Sequence, residues 1–115
     1  MQIQRKITTR NYNVGNNPKY IIIHYVGAVS SAYDNIQNQY NNNLTGSAHY
    51  YVDDISIWQS IEDYDKAWSV GDGNGKITNS NSINIEMCCK NDGKLTVSEA
   101  TENNTLELVK TLMAK

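Results

Sequence analysis

Tyr20-Ile21-Ile22-Ile23-His24-Tyr25-Val26-Gly27 is a near-continuous apolar run with one imidazole close to its end. A run of this kind reads as a strand covered on both faces, as in sheets that carry helices on each side. Two later stretches share its character. Gly46-Ser47-Ala48-His49-Tyr50-Tyr51-Val52-Asp53 and Asn79-Ser80-Asn81-Ser82-Ile83-Asn84-Ile85-Glu86 are also β-branched or aromatic runs with one chemically able side chain each. A buried strand keeps such a group only if it is satisfied or used. Alternation puts Tyr20, Ile22 and His24 on one face of the first strand. On the third it puts Asn84, Glu86 and Cys88 on one face, with Ile83, Ile85 and Met87 on the other. A His at the end of one strand and a Glu inside another suggest a metal ligand and a general base aimed at one pocket. The plainer readings are a satisfied core or surface histidine and a salt-bridged strand glutamate.

Outward from these strands, Arg5 to Lys19 is polar, contains Gly15 and the only proline, Pro18, and reads as an irregular lead-in. From Ser30 to Asn42 the residues Val29, Tyr33, Ile36 and Tyr40 recur at helical spacing, and Ser31 with Asp34 resembles a capping box. Ala48 to Val52 and Ser56 to Ile61 flank Asp53-Asp54-Ile55 as a hairpin. Tyr64 to Lys76 reads as a long loop, and long loops in compact domains are usually functional or disordered. Ser82 to Cys89 is a strand. From Ser98 onward Leu108, Val109, Leu112 and Met113 mark a helix. The pattern predicts an α/β fold, a mixed central sheet flanked by helices, formed by residues 1–115 as one domain.

Composition narrows the function. There is no Phe, so eight Tyr and two Trp must supply the large side chains. Their polar tips suit the wall of a sugar or peptide groove as well as a core. A net charge of −2 without a basic patch argues against nucleic acid as a partner. No stretch has the length of a membrane span, and the N-terminus has no apolar signal region. The expectation is synthesis in the cytoplasm without membrane association. Cys88 and Cys89 are adjacent and no other cysteine exists, so no disulfide framework is expected. As neighbours on a strand they point oppositely, cannot share a metal, and read as small fillers. Asn, Ile, Lys and Tyr are abundant, as in the products of AT-rich genes, which weakens any functional reading of the Asn runs.

Together with the loop Lys66-Ala67-Trp68-Ser69-Val70-Gly71-Asp72-Gly73, the three segments resemble zinc-dependent N-acetylmuramoyl-L-alanine amidases of phage endolysins and autolysins. Peptidoglycan recognition proteins share that fold. The pattern is an apolar strand ending in His, a Ser-Ala-His-Tyr-like strand, a Trp loop, then Asn-Ser-Ile-x-Ile-Glu. It runs from about Ile7 to the last residue. The resemblance implies cleavage of the amide between N-acetylmuramic acid and L-alanine in peptidoglycan, with zinc as cofactor and a muropeptide as ligand. It makes His24 the first zinc ligand and Glu86 the catalytic residue, and gives His49 a supporting role. Tyr25, Trp68, Ser69 and Asp72 are the substrate-binding candidates. Relatives often carry a His after the Trp, where Ser69 stands here. Some phage amidases have a catalytic Tyr where this chain has Ala48.

The family draws two further zinc ligands from a C-terminal stretch, a His after the last helix and then a Cys or Asp. This chain contains neither, so the resemblance implies the N-terminal portion of a catalytic domain. Two alternatives stay open. One is a muropeptide-binding module without hydrolysis, and the other is an inactive prophage remnant. The oligomeric state is left open as well.

Overall fold

The computed structural model describes residues 2–41, 44–71 and 75–115. Its strands are β1 (Ile3–Arg5), β2 (Tyr12–Val14), β3 (Tyr20–Val29), β4 (Tyr50–Val52), β5 (Ile57–Gln59), β6 (Asp65–Ala67) and β7 (Ser82–Cys89). The helices are α1 (Ala32–Tyr40) and α2 (Glu99–Met113). Five strands form a mixed sheet in the order β1-β5-β4-β7-β3, and β2 pairs with β6 in a two-stranded ribbon. β7 runs parallel to both β3 and β4, while β4 and β5 form the antiparallel hairpin. The Asp53 carboxylate holds that hairpin's turn. Its Oδ1 accepts the N–H groups of Ile55 and Ser56 at 3.0 and 2.7 Å. None of the helices is long and apolar enough to cross a membrane, among the described residues.

Strand alternation divides the interior into two cores. Tyr50, Val52, Ile57, Ile83 and Ile85 pack with Leu108 and Leu112 of α2 on one face. Ala48, Tyr51 and Cys88 pack with Ala32 and Ile36 of α1 on the other, joined by Val26 and Trp58. β4 and β7, adjacent in the interior of the sheet, supply side chains to both.

α1 begins at the cap the sequence marks, and α2 is capped in the same way by Ser98. Ser31 Oγ accepts the Asp34 N–H at 3.0 Å, and Ser98 Oγ accepts the Thr101 N–H at 3.1 Å. The buried face of α1 differs from the expected one. It consists of Ala32, Asn35, Ile36 and Gln39, while Tyr33 and Tyr40 are exposed. Polar side chains tolerate this burial because they are satisfied. Gln39 Oε1 accepts the Ala48 N–H and the Tyr51 hydroxyl, and its Nε2 donates to Ser60 Oγ. On α2 the buried residues are Thr101, Thr105, Leu108 and Leu112, with Met113 exposed. The lead-in is not wholly irregular either. β1 and β2 lie within or beside it, and β6 lies inside the expected long loop.

Candidate active site

The two residues singled out for chemistry face each other across one strand pair. His24 on β3 is in register with Glu86 on β7, and Glu86 is in register with Tyr51 on β4. Partners in parallel strands project to the same side of a sheet. His24, Glu86 and Tyr51 therefore form one row on the α1 face. A cleft of about 270 Å³ opens beside this row. Glu86, Tyr51 and Val26 line it from the sheet, and Gly46, Ser47, Trp68 and Ser69 line it from the loops. His24 stands at the edge of the cleft, where Ser69 Oγ lies 3.2 Å from its Nε2. The same ring nitrogen lies 2.9 Å from Asn84 Oδ1.

Glu86 is half-buried, and burial pushes its carboxyl above the ordinary carboxylate range, partly opposed by the His24 imidazole. Burial and the Glu86 charge also push the Tyr51 phenol up. A carboxyl held closer to neutral pH suits general acid–base work.

His49 is fully buried and both its ring nitrogens are occupied. Nε2–H donates to the Asp65 carbonyl at 2.8 Å, and Nδ1 accepts the Asn84 N–H at 3.0 Å. Burial lowers its pKa, with the Asp65 carbonyl opposing. Neutral and doubly bonded, it ties β4 to β6 and β7 and has no lone pair left for a metal.

The Trp68 loop is held by contacts that sequence reading missed. Ser47 N–H donates to the Trp68 carbonyl at 3.0 Å, and Trp68 N–H donates to Ser47 Oγ at 2.8 Å. A Cβ at Gly46 would lie 2.8 Å from the Trp68 carbonyl oxygen, so only glycine lets the two loops approach this closely. The indole N–H donates to Asn13 Oδ1 at 2.8 Å, leaving a fixed ring 42% exposed. Asn79 Oδ1 accepts three consecutive backbone N–H groups, from Ser69, Val70 and Gly71, at 3.1, 2.9 and 3.1 Å.

Of the four substrate-binding candidates, Trp68 and Ser69 line the cleft. Tyr25 does not. As the neighbour of His24 on a strand it projects to the opposite face, where it is 63% exposed. Asp72 lies outside the described residues.

A catalytic zinc normally takes three protein donors and a water. Among the described residues no three His, Cys, Asp or Glu side chains converge. Cys88 is buried in the core against α1, and burial pushes its thiol up to about 12. His24 can supply one donor, and the described residues do not by themselves form a zinc site.

A mixed sheet with a helix on each face and a His–Glu row beside a cleft defines a class that the comparisons identify. The family model for N-acetylmuramoyl-L-alanine amidase matches residues 14–115, and the chain belongs to that family. It is 38% identical over 103 residues to the N-acetylmuramoyl-L-alanine amidase XlyA of Bacillus subtilis (strain 168), covering 85% of this chain and 33% of that protein. The chain thus spans about a third of the length of this curated relative. Among solved structures, PlyL superimposes with a TM-score of 0.85 at 30% identity, covering 99% of this chain and 74% of that one. The catalytic domain of XlyA gives 0.81 at 32%, covering 99% and 76%.

Proposed function

We propose that this domain is the core of a peptidoglycan hydrolase of the endolysin or autolysin kind, acting at the cell wall. It would cut the amide between the lactyl group of N-acetylmuramic acid and L-alanine. The observation that carries this reading is the register of His24 with Glu86 beside a cleft walled by Trp68 and Ser69. Glu86 takes the proton from the attacking water and returns it to the leaving amine. Its half-buried position supports that role, because burial raises its pKa above the ordinary carboxylate range, toward the behaviour a group that both takes and returns a proton needs. Trp68 offers a fixed apolar face for the sugar or the stem peptide.

The resemblance assigns His24 to zinc. That assignment needs two donors beyond those of the described residues. In a second reading the cleft binds muropeptide without hydrolysis.

One experiment separates the two. Purified peptidoglycan is incubated with the chain in zinc-containing buffer, and newly exposed L-alanine amino groups are counted. Hydrolysis that falls roughly 10²- to 10⁴-fold in Glu86→Gln, with muropeptide binding kept, supports the amidase. Saturable muropeptide binding with no new amino groups supports the binding module. Near-normal hydrolysis by the Gln variant would remove Glu86 from the mechanism.

A further inference from the structure

Asn84 occupies the unspecified position between the two isoleucines of the Ser82-to-Glu86 stretch, and no role has been given to its side chain. It is fully buried, as is Ser82. Three hydrogen bonds run through them in sequence. Ser82 Oγ lies 2.7 Å from the Thr78 carbonyl oxygen, Asn84 Nδ2 lies 3.0 Å from Ser82 Oγ, and Asn84 Oδ1 lies 2.9 Å from His24 Nε2.

The direction of every bond in this chain is fixed from one end. A carbonyl oxygen can only accept, so the Ser82 hydroxyl must donate to Thr78. With its proton spent there, Ser82 can only accept from Asn84, which turns the amide NH₂ toward Ser82. The amide oxygen then faces His24, and the His24 nitrogen opposite it must carry a proton. Flipping the amide would set two buried oxygens against each other with no proton between them, which leaves buried acceptors unsatisfied. Ser69 Oγ, 3.2 Å from the same nitrogen, is then a second acceptor for that proton.

We infer that Asn84 is a positioning residue that holds His24 as the Nε2–H tautomer and so leaves the imidazole lone pair on Nδ1. The relay is anchored on the Thr78 carbonyl and read out at the imidazole. A histidine's second nitrogen commonly sets the tautomer, and thereby the atom free to bond. The inference deepens the proposed function, because it names the atom through which His24 would act. Its test, however, requires no hydrolysis.

Two-bond ¹H–¹⁵N correlation spectra of the ¹⁵N-labelled chain, at a pH where both histidines are neutral, report the protonated nitrogen of His24 directly. The wild type is expected to show the Nε2–H form alone. Asn84→Leu removes the acceptor at similar volume and should give a mixture of tautomers. Ser82→Ala frees the amide to turn and should give a smaller admixture. Ser69→Ala should leave the tautomer unchanged. An Nδ1–H form in the wild type would overturn the inference outright, whatever the variants do. So would an unchanged Nε2–H form in Asn84→Leu with the remaining amide spectrum intact. Absence of wall hydrolysis would count against the proposed function and leave this readout untouched.

Discussion

Glu86 sits half-buried between His24 and Tyr51, and its strand gives it no ion-pair partner among the described residues. Its raised pKa has a consequence for folding. The native state binds the Glu86 proton more tightly than the unfolded chain does. The stability linked to it is therefore complete below the unfolded value, near 4.5, and is lost as the pH rises through the raised folded value. Glu86→Gln cannot ionise. It is expected to be more stable than the wild type at neutral pH, with the gap closing below about pH 4. Urea unfolding of both proteins at pH 4 and pH 7 measures this, and a gap that widens on acidification would contradict the cause given for the shift. At this scale the sequence shows His24 and Glu86 because an imidazole and a carboxylate stand out in apolar strands. It hides Asn79 and Asn84, since an amide gains its role only from partners brought up by folding, and asparagines are abundant here. Tyr25 misleads for the opposite reason. Adjacency in sequence suggests a shared site, but on a strand it means opposite faces.

The loop before β7 shows how one side chain shapes an element. Asn79 donates its N–H to the Gly71 carbonyl at 2.9 Å and accepts the Ser69, Val70 and Gly71 N–H groups on Oδ1. It fixes the base of the loop and with it the Ser69 wall of the cleft. Asn79→Ala should speed hydrogen exchange at those three amides at least about tenfold and cost roughly 1–3 kcal/mol. Asn79→Asp keeps an acceptor oxygen and should retain most of the protection. Equal exchange in wild type and Asn79→Ala would show that the loop holds itself. Among the elements, β7, the hairpin and both helices are legible from length or pattern. β3 is legible as a strand but not as one covered on both faces, because it lies at the edge of the sheet and leaves Ile23, Tyr25 and Val29 exposed. β1, β2 and β6 are as short as the two hairpin strands, three residues each, but lack the hairpin's longer apolar flanks and central turn, and exist because a neighbouring backbone completes their hydrogen bonds. The buried face of α1 is rotated from the apolar one because Asn35 and Gln39 find partners inside. Binary pattern counts hydrophobicity and cannot see hydrogen bonds waiting on another strand.

For the molecule as a whole, β7 is the element on which both cores depend. It pairs with β3 and β4, sends Ile83 and Ile85 toward α2, and sends Cys88 toward α1. The catalytic candidate Glu86 and the relay residues Ser82 and Asn84 share its α1 face, so the site and the fold are carried by one strand. Damage to the α2 core should therefore be felt on the α1 side. Ile85 is fully buried, and truncating a buried isoleucine to alanine typically costs about 2–5 kcal/mol. Ile85→Ala should lower the unfolding free energy by an amount in that range, with a lower midpoint, while keeping a single transition. Helix loss followed by circular dichroism reports on α1 and α2, and tryptophan fluorescence reports on Trp58 and Trp68. The two curves are expected to coincide in both wild type and variant, because no core is complete without β7. If Ile85→Ala instead separated them, with fluorescence holding while helix signal fell, the two faces would be independent. The site could then survive without the α2 layer, contrary to the shared strand.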